Sequence, residues 1–273
     1  MMVGPKPTDL ELLGFIDEMK RNIFALFIFY SCNLFAQDQL NELTVDRPGI
    51  AESPYTVRPG MFQLETGLDY YDRLGGEIFF LPVSLFRVGL SENSEFRISA
   101  KNVTNNTFDE SMAGISPVSL GIKTHIIHQN GWRPETDILV NVIVPIGNSP
   151  LQPGKLGHEV LLLFQNDFSE KYAINYNVGL IWDGFSEESI FTTSLCFNYL
   201  PTEKIGLFAE YFNFIRYRDA EEFGIDGGLT YLLHPHIQAD ASVGFSWVDQ
   251  EICYFISTGL SFRVVRSKPK LQH

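Results

Sequence analysis

What most constrains this chain is a period of two. From residue 61 to residue 264, apolar and polar residues alternate in segment after segment, the mark of strands with two unlike faces rather than of helices. In 61–71, Phe62, Leu64, Leu68 and Tyr70 share one face, and Gln63, Glu65, Gly67 and Asp69 the other. Residues 95–101 set Phe96, Ile98 and Ala100 against Glu95, Arg97, Ser99 and Lys101. Residues 118–126 set Val118, Leu120, Ile122 and Ile126 against Ser119, Gly121, Lys123 and His125. Residues 172–182 and 237–247 repeat the pattern, with Val178, Leu180, Val243 and Phe245 opposed to Asn175, Asn177, Asp240 and Ser242. Weaker runs at 77–90, 135–146, 158–168, 188–199, 205–213, 224–233 and 252–264 bring the expected count to twelve strands.

Two further features point to an all-β, antiparallel, up-and-down transmembrane β-barrel. Strands of about 9–11 residues are long enough to cross a bilayer at a steep tilt, and an even number closes with both ends on one side. Connections after the even-numbered strands are short, as at Ser91–Ser94, 129–131, 169–171, 201–204 and 234–236, whereas links at 102–114, 147–157 and 214–223 are long. Short turns on one rim and long loops on the other are the outer-membrane pattern. Tyr70, Tyr172, Trp182, Tyr211, Tyr231 and Trp247 are expected near strand ends, as aromatic girdles. Twelve strands tilted by about 40° enclose a backbone cylinder about 24 Å across, neither filled solid nor porin-wide.

The polar face is too charged for a dry core. Glu65, Asp69, Arg87, Glu95, Arg97, Lys101, Lys123, Glu210, Asp226, Asp240 and Arg263 are the expected lumen-lining residues, since an unpaired charge in an apolar interior costs several kcal/mol (~2–7 or more). The competing reading is a soluble sandwich whose polar face meets water.

The N-terminus reads as an address. Lys20 and Arg21 precede an apolar run at 23–30, and Ala36 stands before Gln37, the order of a cleavable export signal. Residues 1–36 are expected to be absent from the mature protein, with Met19 as the start, because residues 1–18 carry Asp9, Glu11, Asp17 and Glu18. An uncut anchor and a lipoprotein acylated at Cys32 are the alternatives. The expected divisions are then 37–60 as a periplasmic or plug segment, 61–264 as the barrel, and 265–273 as a basic tail.

Acidic residues outnumber basic ones by 33 to 20, a net charge of −13, which argues against nucleic acid as a partner. Three cysteines without paired spacing exclude a zinc ribbon. No GxSxG, HExxH or glycine-rich phosphate loop is present. His234 and His236, flanking Pro235, and the pair His158–Glu159 carry only weak metal or catalytic readings. No catalytic residue, metal or cofactor is expected.

Residues 44–53, Thr-Val-Asp-Arg-Pro-Gly-Ile-Ala-Glu-Ser, precede Pro59-Gly60-Met61-Phe62-Gln63-Leu64-Glu65. This resembles the opening of the "MetA-pathway of phenol degradation" family, where T-D-R-P-x-x-x-E-S leads into P-G-x-x-Q-L-E-x-G. Arg87-Val88-Gly89-Leu90, Ser119–Lys123, Val144–Gly147, Phe208–Tyr211 and Asp226–Leu232 continue the likeness in order, from about 44 to 264. Val83-Ser84 and the tail beyond 265 depart from it. The last strand, Ser257-x-Gly259-x-x-Phe262-x-Val264, is similar to a barrel-assembly signal, so the assembly machinery and outer-membrane lipid are expected partners.

The resemblance implies an outer-membrane channel of a Gram-negative bacterium that passes a small-molecule solute, hydrophobic or aromatic solutes included. The alternative is a non-conducting structural, adhesive or enzymatic barrel. Asp46, Arg47 and Glu52 are the plug candidates: folded inward, Arg47 would meet Glu65, Glu210 or Asp240, and the two acids would meet Arg87, Arg97, Lys123 or Arg263. The plainer alternative is a solvated tether.

Overall fold

A computed structural model describes residues 43–73, 76–107, 111–147, 151–216, 221–248 and 251–265. The expected export signal and all of the basic tail beyond Val265 lie outside the described residues. Thirteen strands follow one another: β1 (Met61–Arg73), β2 (Gly76–Ser91), β3 (Ser94–Thr107), β4 (Ser111–Ile115), β5 (Val118–Ile127), β6 (Glu135–Val144), β7 (Gly157–Asp167), β8 (Tyr172–Trp182), β9 (Ile190–Tyr199), β10 (Ile205–Arg216), β11 (Glu222–His234), β12 (Ile237–Val248) and β13 (Glu251–Val265).

All neighbouring pairs are antiparallel, and β1 pairs with both β2 and β13, from Met61↔Val265 to Asp72↔Tyr254. The sheet therefore closes on itself, leaving no unpaired edge in the ring. Twelve strands form that ring. The thirteenth, β4, pairs only with the far end of β3, from Asn102↔Ile115 to Asn106↔Ser111, while β5 pairs with the near end of β3.

That extra strand corrects the expected loop at 102–114. The expected loop at 214–223 is likewise shortened, because Phe214 pairs with Glu222 and Asn213 with Phe223. Asn, Thr and charged residues dominate both stretches. Beyond the apolar belt a hairpin needs only its backbone ladder, so the two-faced composition that reveals a strand is not required there. Tyr211 is a second correction: it lies at the middle of the twelve-residue β10 rather than near an end. Tyr172 and Tyr199 do stack at the short-turn rim, and His158 stacks on Trp182 at the other.

The burial pattern is the inverse of a soluble protein's. Leu64, Leu120, Ile122, Leu162, Leu180, Ile225, Val243 and Ile256 are exposed on the outer surface, whereas Glu65, Arg87, Glu95, Lys123 and Asp137 are completely buried inside. A continuous apolar exterior needs lipid, and charges on the inside need partners. The interior also holds what the alternation did not suggest: an apolar patch of Leu139, Leu161 and Leu163 on β6 and β7, and inward aromatics on which Tyr71 stacks against Phe255 at 5.5 Å and Phe255 meets Phe212 at 6.0 Å.

Candidate functional site

Residues 43–60 precede β1 and contain no strand beyond an isolated bridge at Pro59. Pro48, Pro54 and Pro59 remove backbone donors and oppose a ladder. The segment instead lies inside the barrel, where its polar groups find side chains from both sides of the wall.

On one side stand β2, β3 and β5. Asp46 Oδ2 lies 3.1 Å from Arg87, 2.9 Å from Arg97 and 2.9 Å from Lys123. Burial by itself raises the Asp46 carboxyl; the three cations outweigh it and hold that carboxyl well below the usual range. Glu52 accepts from Arg97 in bidentate fashion, at 2.5 and 2.9 Å, and lies 3.5 Å from Lys123. Arg87 also donates to Glu65 at 2.9 Å, to Glu95 at 2.9 and 3.0 Å, and to the Tyr55 carbonyl at 2.8 Å. Glu95 accepts the Val57 N–H at 2.5 Å. Asp46 Oδ1 receives Ser53 N–H and Oγ–H at 3.0 and 2.8 Å, which ties the segment to itself.

On the other side stand β8, β10, β12, β13 and the neighbouring β1. Arg47 reaches Asp69 at 3.5 Å and Asp240 at 3.4 Å, and donates to Ser257 Oγ at 2.8 Å. Its guanidinium passes over Gly67 and Gly259, which face each other across β1 and β13. A Cβ at either would come within 2.4 or 2.6 Å of it, so both positions need glycine for this approach. Glu210 accepts the N–H groups of Ile50 and Ala51 at 2.7 and 2.5 Å, and Asn177 accepts that of Glu52 at 2.7 Å. Glu65 Oε2 accepts the N–H groups of Asp46 and Arg47 at 3.0 and 3.1 Å.

Of the expected inward residues, Glu65, Asp69, Arg87, Glu95, Arg97, Lys123, Glu210, Asp226, Asp240 and Arg263 are buried. Glu65, Asp69, Arg87, Glu95, Arg97, Lys123, Glu210 and Asp240 touch the segment; three do not. Asp226 faces Glu210 across the β10–β11 pair. Lys101 stands 5.2 Å over the Phe80 ring. Arg263 donates to the Pro235 carbonyl at the short-turn rim, where it offers nothing to Asp46 or Glu52. His158 and Glu159 do not form a pair: successive strand residues point to opposite faces, so His158 packs on Trp182 while Glu159 takes a hydrogen bond from Asn141 at 2.6 Å. Sequence reasoning gave no binding role to Gln63, Asn177, Ser257 and Tyr55. Gln63 bonds the Thr44 carbonyl at 2.7 Å, and Tyr55 donates to Asp167 at 3.0 Å. Burial, with the Asp167 carboxylate beside it, pushes the Tyr55 phenol up and keeps it a donor. Alternation places such uncharged residues inward without saying what they bind.

A cavity of about 510 Å³ opens beside the segment. Asp46 to Ile50 and Glu52 line it together with Arg97, Lys101, Glu159, Tyr71, Phe255 and, from the opposite rim, Asp183 and Phe185.

A closed twelve-stranded antiparallel ring with an apolar exterior and a charged interior defines the class: an outer-membrane β-barrel. Residues 45–264 match the family described as "Putative MetA-pathway of phenol degradation", and the chain belongs to that family. Comparison with curated proteins gave no match. Among solved structures the chain is similar to the COG4313 outer membrane channel from Pseudomonas putida F1, with a TM-score of 0.58 and 13% identity over 80% of this chain and 99% of that one. It is also similar to the NanC porin (0.53; 11% identity; 74% and 100% covered) and to the KdgM porin in complex with disordered oligogalacturonate (0.52; 8%; 73% and 98%). At these identities the likeness is one of fold.

Proposed function

We propose that this barrel passes a small molecule across the outer membrane and that residues 43–60 form the constriction of its path. The observation that carries the reading is the kind of contact that holds the segment. Hydrogen bonds and ion pairs from many strands fix it to the wall, and Leu43, Pro54 and Val57 are its buried apolar side chains. A cavity of about 510 Å³ adjoins it, large enough for a small organic solute. Tyr71 and Phe255 beside Arg97 and Lys101 suit a solute with an aromatic or hydrophobic part. The inward charged residues would then line the path, with Asp46, Arg47 and Glu52 as the plug. Export by a signal cleaved after residue 36, and insertion by the barrel-assembly machinery, complete the reading; N-terminal sequencing of the mature protein should begin at Gln37.

The test is reconstitution in planar bilayers together with solute uptake into liposomes. Conductance or uptake supports the reading. A folded barrel that neither conducts nor takes up solute at any voltage would instead be a structural, adhesive or enzymatic barrel.

A further inference from the structure

At the short-turn rim, away from the inner ion pairs, the end of β5 and the start of β6 bring two imidazoles and two carboxylates together. His128 Nδ1 lies 3.1 Å from Glu135 Oε1, and His125 Nδ1 lies 3.3 Å from the same oxygen. Asp137 Oδ1 lies 2.8 Å from His125 Nδ1. The two rings stack at 4.1 Å, and both Nδ1 atoms approach the same Glu135 oxygen. One ligand atom from each of His125, His128 and Glu135 falls within 4.8 Å of the others.

We propose that this cluster is a binding site for a divalent transition cation of the zinc class. Zinc bonds to nitrogen and oxygen of about 2.0–2.1 Å set tetrahedral ligand edges of about 3.3–3.4 Å. The two measured nitrogen–oxygen edges, 3.1 and 3.3 Å, are already near that spacing. The remaining edge closes by rotation of His128, which sits on the turn with its side chain 79% exposed. Imidazole with carboxylate is a donor set suited to zinc rather than to calcium or magnesium, which prefer oxygen alone.

Two further observations point to a ligand. Asp137 is completely buried, yet its Oδ2 makes no hydrogen bond to another residue. A buried carboxylate left half-satisfied is costly, and a cation drawn onto this group would offset that cost. The carboxylate of Glu135 is also held in place from behind. Its Oε2 accepts the Gln129 N–H at 2.6 Å, and the Gln129 amide is clamped to the Asp167 backbone at 3.0 and 2.8 Å. Such outer support is what orients ligands at metal sites. The turn itself is closed by the paired bridge between Asn130 and Arg133.

The experiment is titration of the mature barrel in detergent, freed of trace metal, with Zn²⁺ in competition with a chromophoric chelator. One Zn²⁺ per barrel is expected. His128→Ala and Glu135→Gln should each weaken binding by at least about tenfold. The double variant His234→Ala/His236→Ala, at a different turn, should bind as the unaltered barrel does. Heat-modifiable migration establishes that each variant is folded, and His128 is exposed enough that its loss does not threaten the barrel. Absence of stoichiometric binding in the unaltered barrel overturns the proposal. So does unchanged binding by folded His128→Ala, or loss confined to the His234/His236 variant.

Discussion

The two sides of the lumen hold the same segment by different means. β2, β3 and β5 present Arg87, Arg97 and Lys123 to the side-chain carboxylates of Asp46 and Glu52, with most nitrogen–oxygen distances between 2.5 and 3.1 Å. The side formed by β8, β10, β12, β13 and β1 presents mainly acceptors. It takes up backbone N–H groups at Glu210 and Asn177, and its ion pairs with Arg47 are long, at 3.4 and 3.5 Å. Ion pairs stripped of water and densely bonded are expensive to break singly, because the survivor is left charged and buried. The hydrogen bonds on the second side reach side chains that are also buried, and each contributes about 1–3 kcal/mol net. The first side therefore anchors the segment and the second side latches it, so opening should begin at Glu210 and Arg47.

Four substitutions or conditions sharpen or break that contrast. The largest effect belongs to Arg87→Met. It removes the cation shared by Asp46, Glu65 and Glu95 and should destabilise the folded barrel by about 3–5 kcal/mol in urea titrations in detergent. Arg47→Met, on the latch side, should cost less, about 1.5–3 kcal/mol, and should show mainly as more frequent opening events in single-channel traces. Glu210→Gln keeps one acceptor for the two N–H groups of Ile50 and Ala51 and should cost about 1 kcal/mol. If it matches Arg87→Met, the two sides grip alike and the contrast fails. The smallest effect concerns acid. The Asp46 carboxyl is held below its unfolded value, so its contribution is complete above that value and is lost only as pH falls through the lower, folded one. Conductance should accordingly show no step attributable to the anchor as pH falls from 7 through the ordinary aspartate value of about 3.9. A step there that Asp46→Asn abolishes would place the Asp46 carboxyl outside the three-cation cage.

Much of the fold was legible because lipid and lumen demand opposite chemistry of alternate residues. Leu180 and Asn177, or Phe245 and Ser242, could be assigned to faces from spacing alone. β4 and the far ends of β10 and β11 were not legible, since outside the membrane that demand lapses and Asn102–Asn106 satisfies only a backbone ladder. Part of the candidate site was readable as charge: Asp46, Arg47 and Glu52 stood out in a stretch unfit to be a strand. Their partners were only half readable. Arg87, Arg97 and Lys123 could be paired with the acids by sign, but Arg263 has the same sign and donates to the Pro235 carbonyl instead. Glu210 was anticipated as a counter-ion, yet it serves as an acceptor for backbone N–H groups, a role that leaves no trace in residue type. The stretch 44–53 and the stretch 59–67 are also each other's complement. Gln63 holds the Thr44 carbonyl, Glu65 the N–H groups of Asp46 and Arg47, and Gly67 makes room for the guanidinium. Sequence order alone shows these stretches as neighbours without showing that one folds back into the other.

The central claim is that the inner segment narrows the path, and deletion of residues 44–54 tests it most directly. The deleted barrel, shown to be folded by heat-modifiable migration, should have a larger single-channel conductance than the intact protein in the same bilayer and salt. Equal conductance in the two folded proteins would contradict the account and leave the segment a tether.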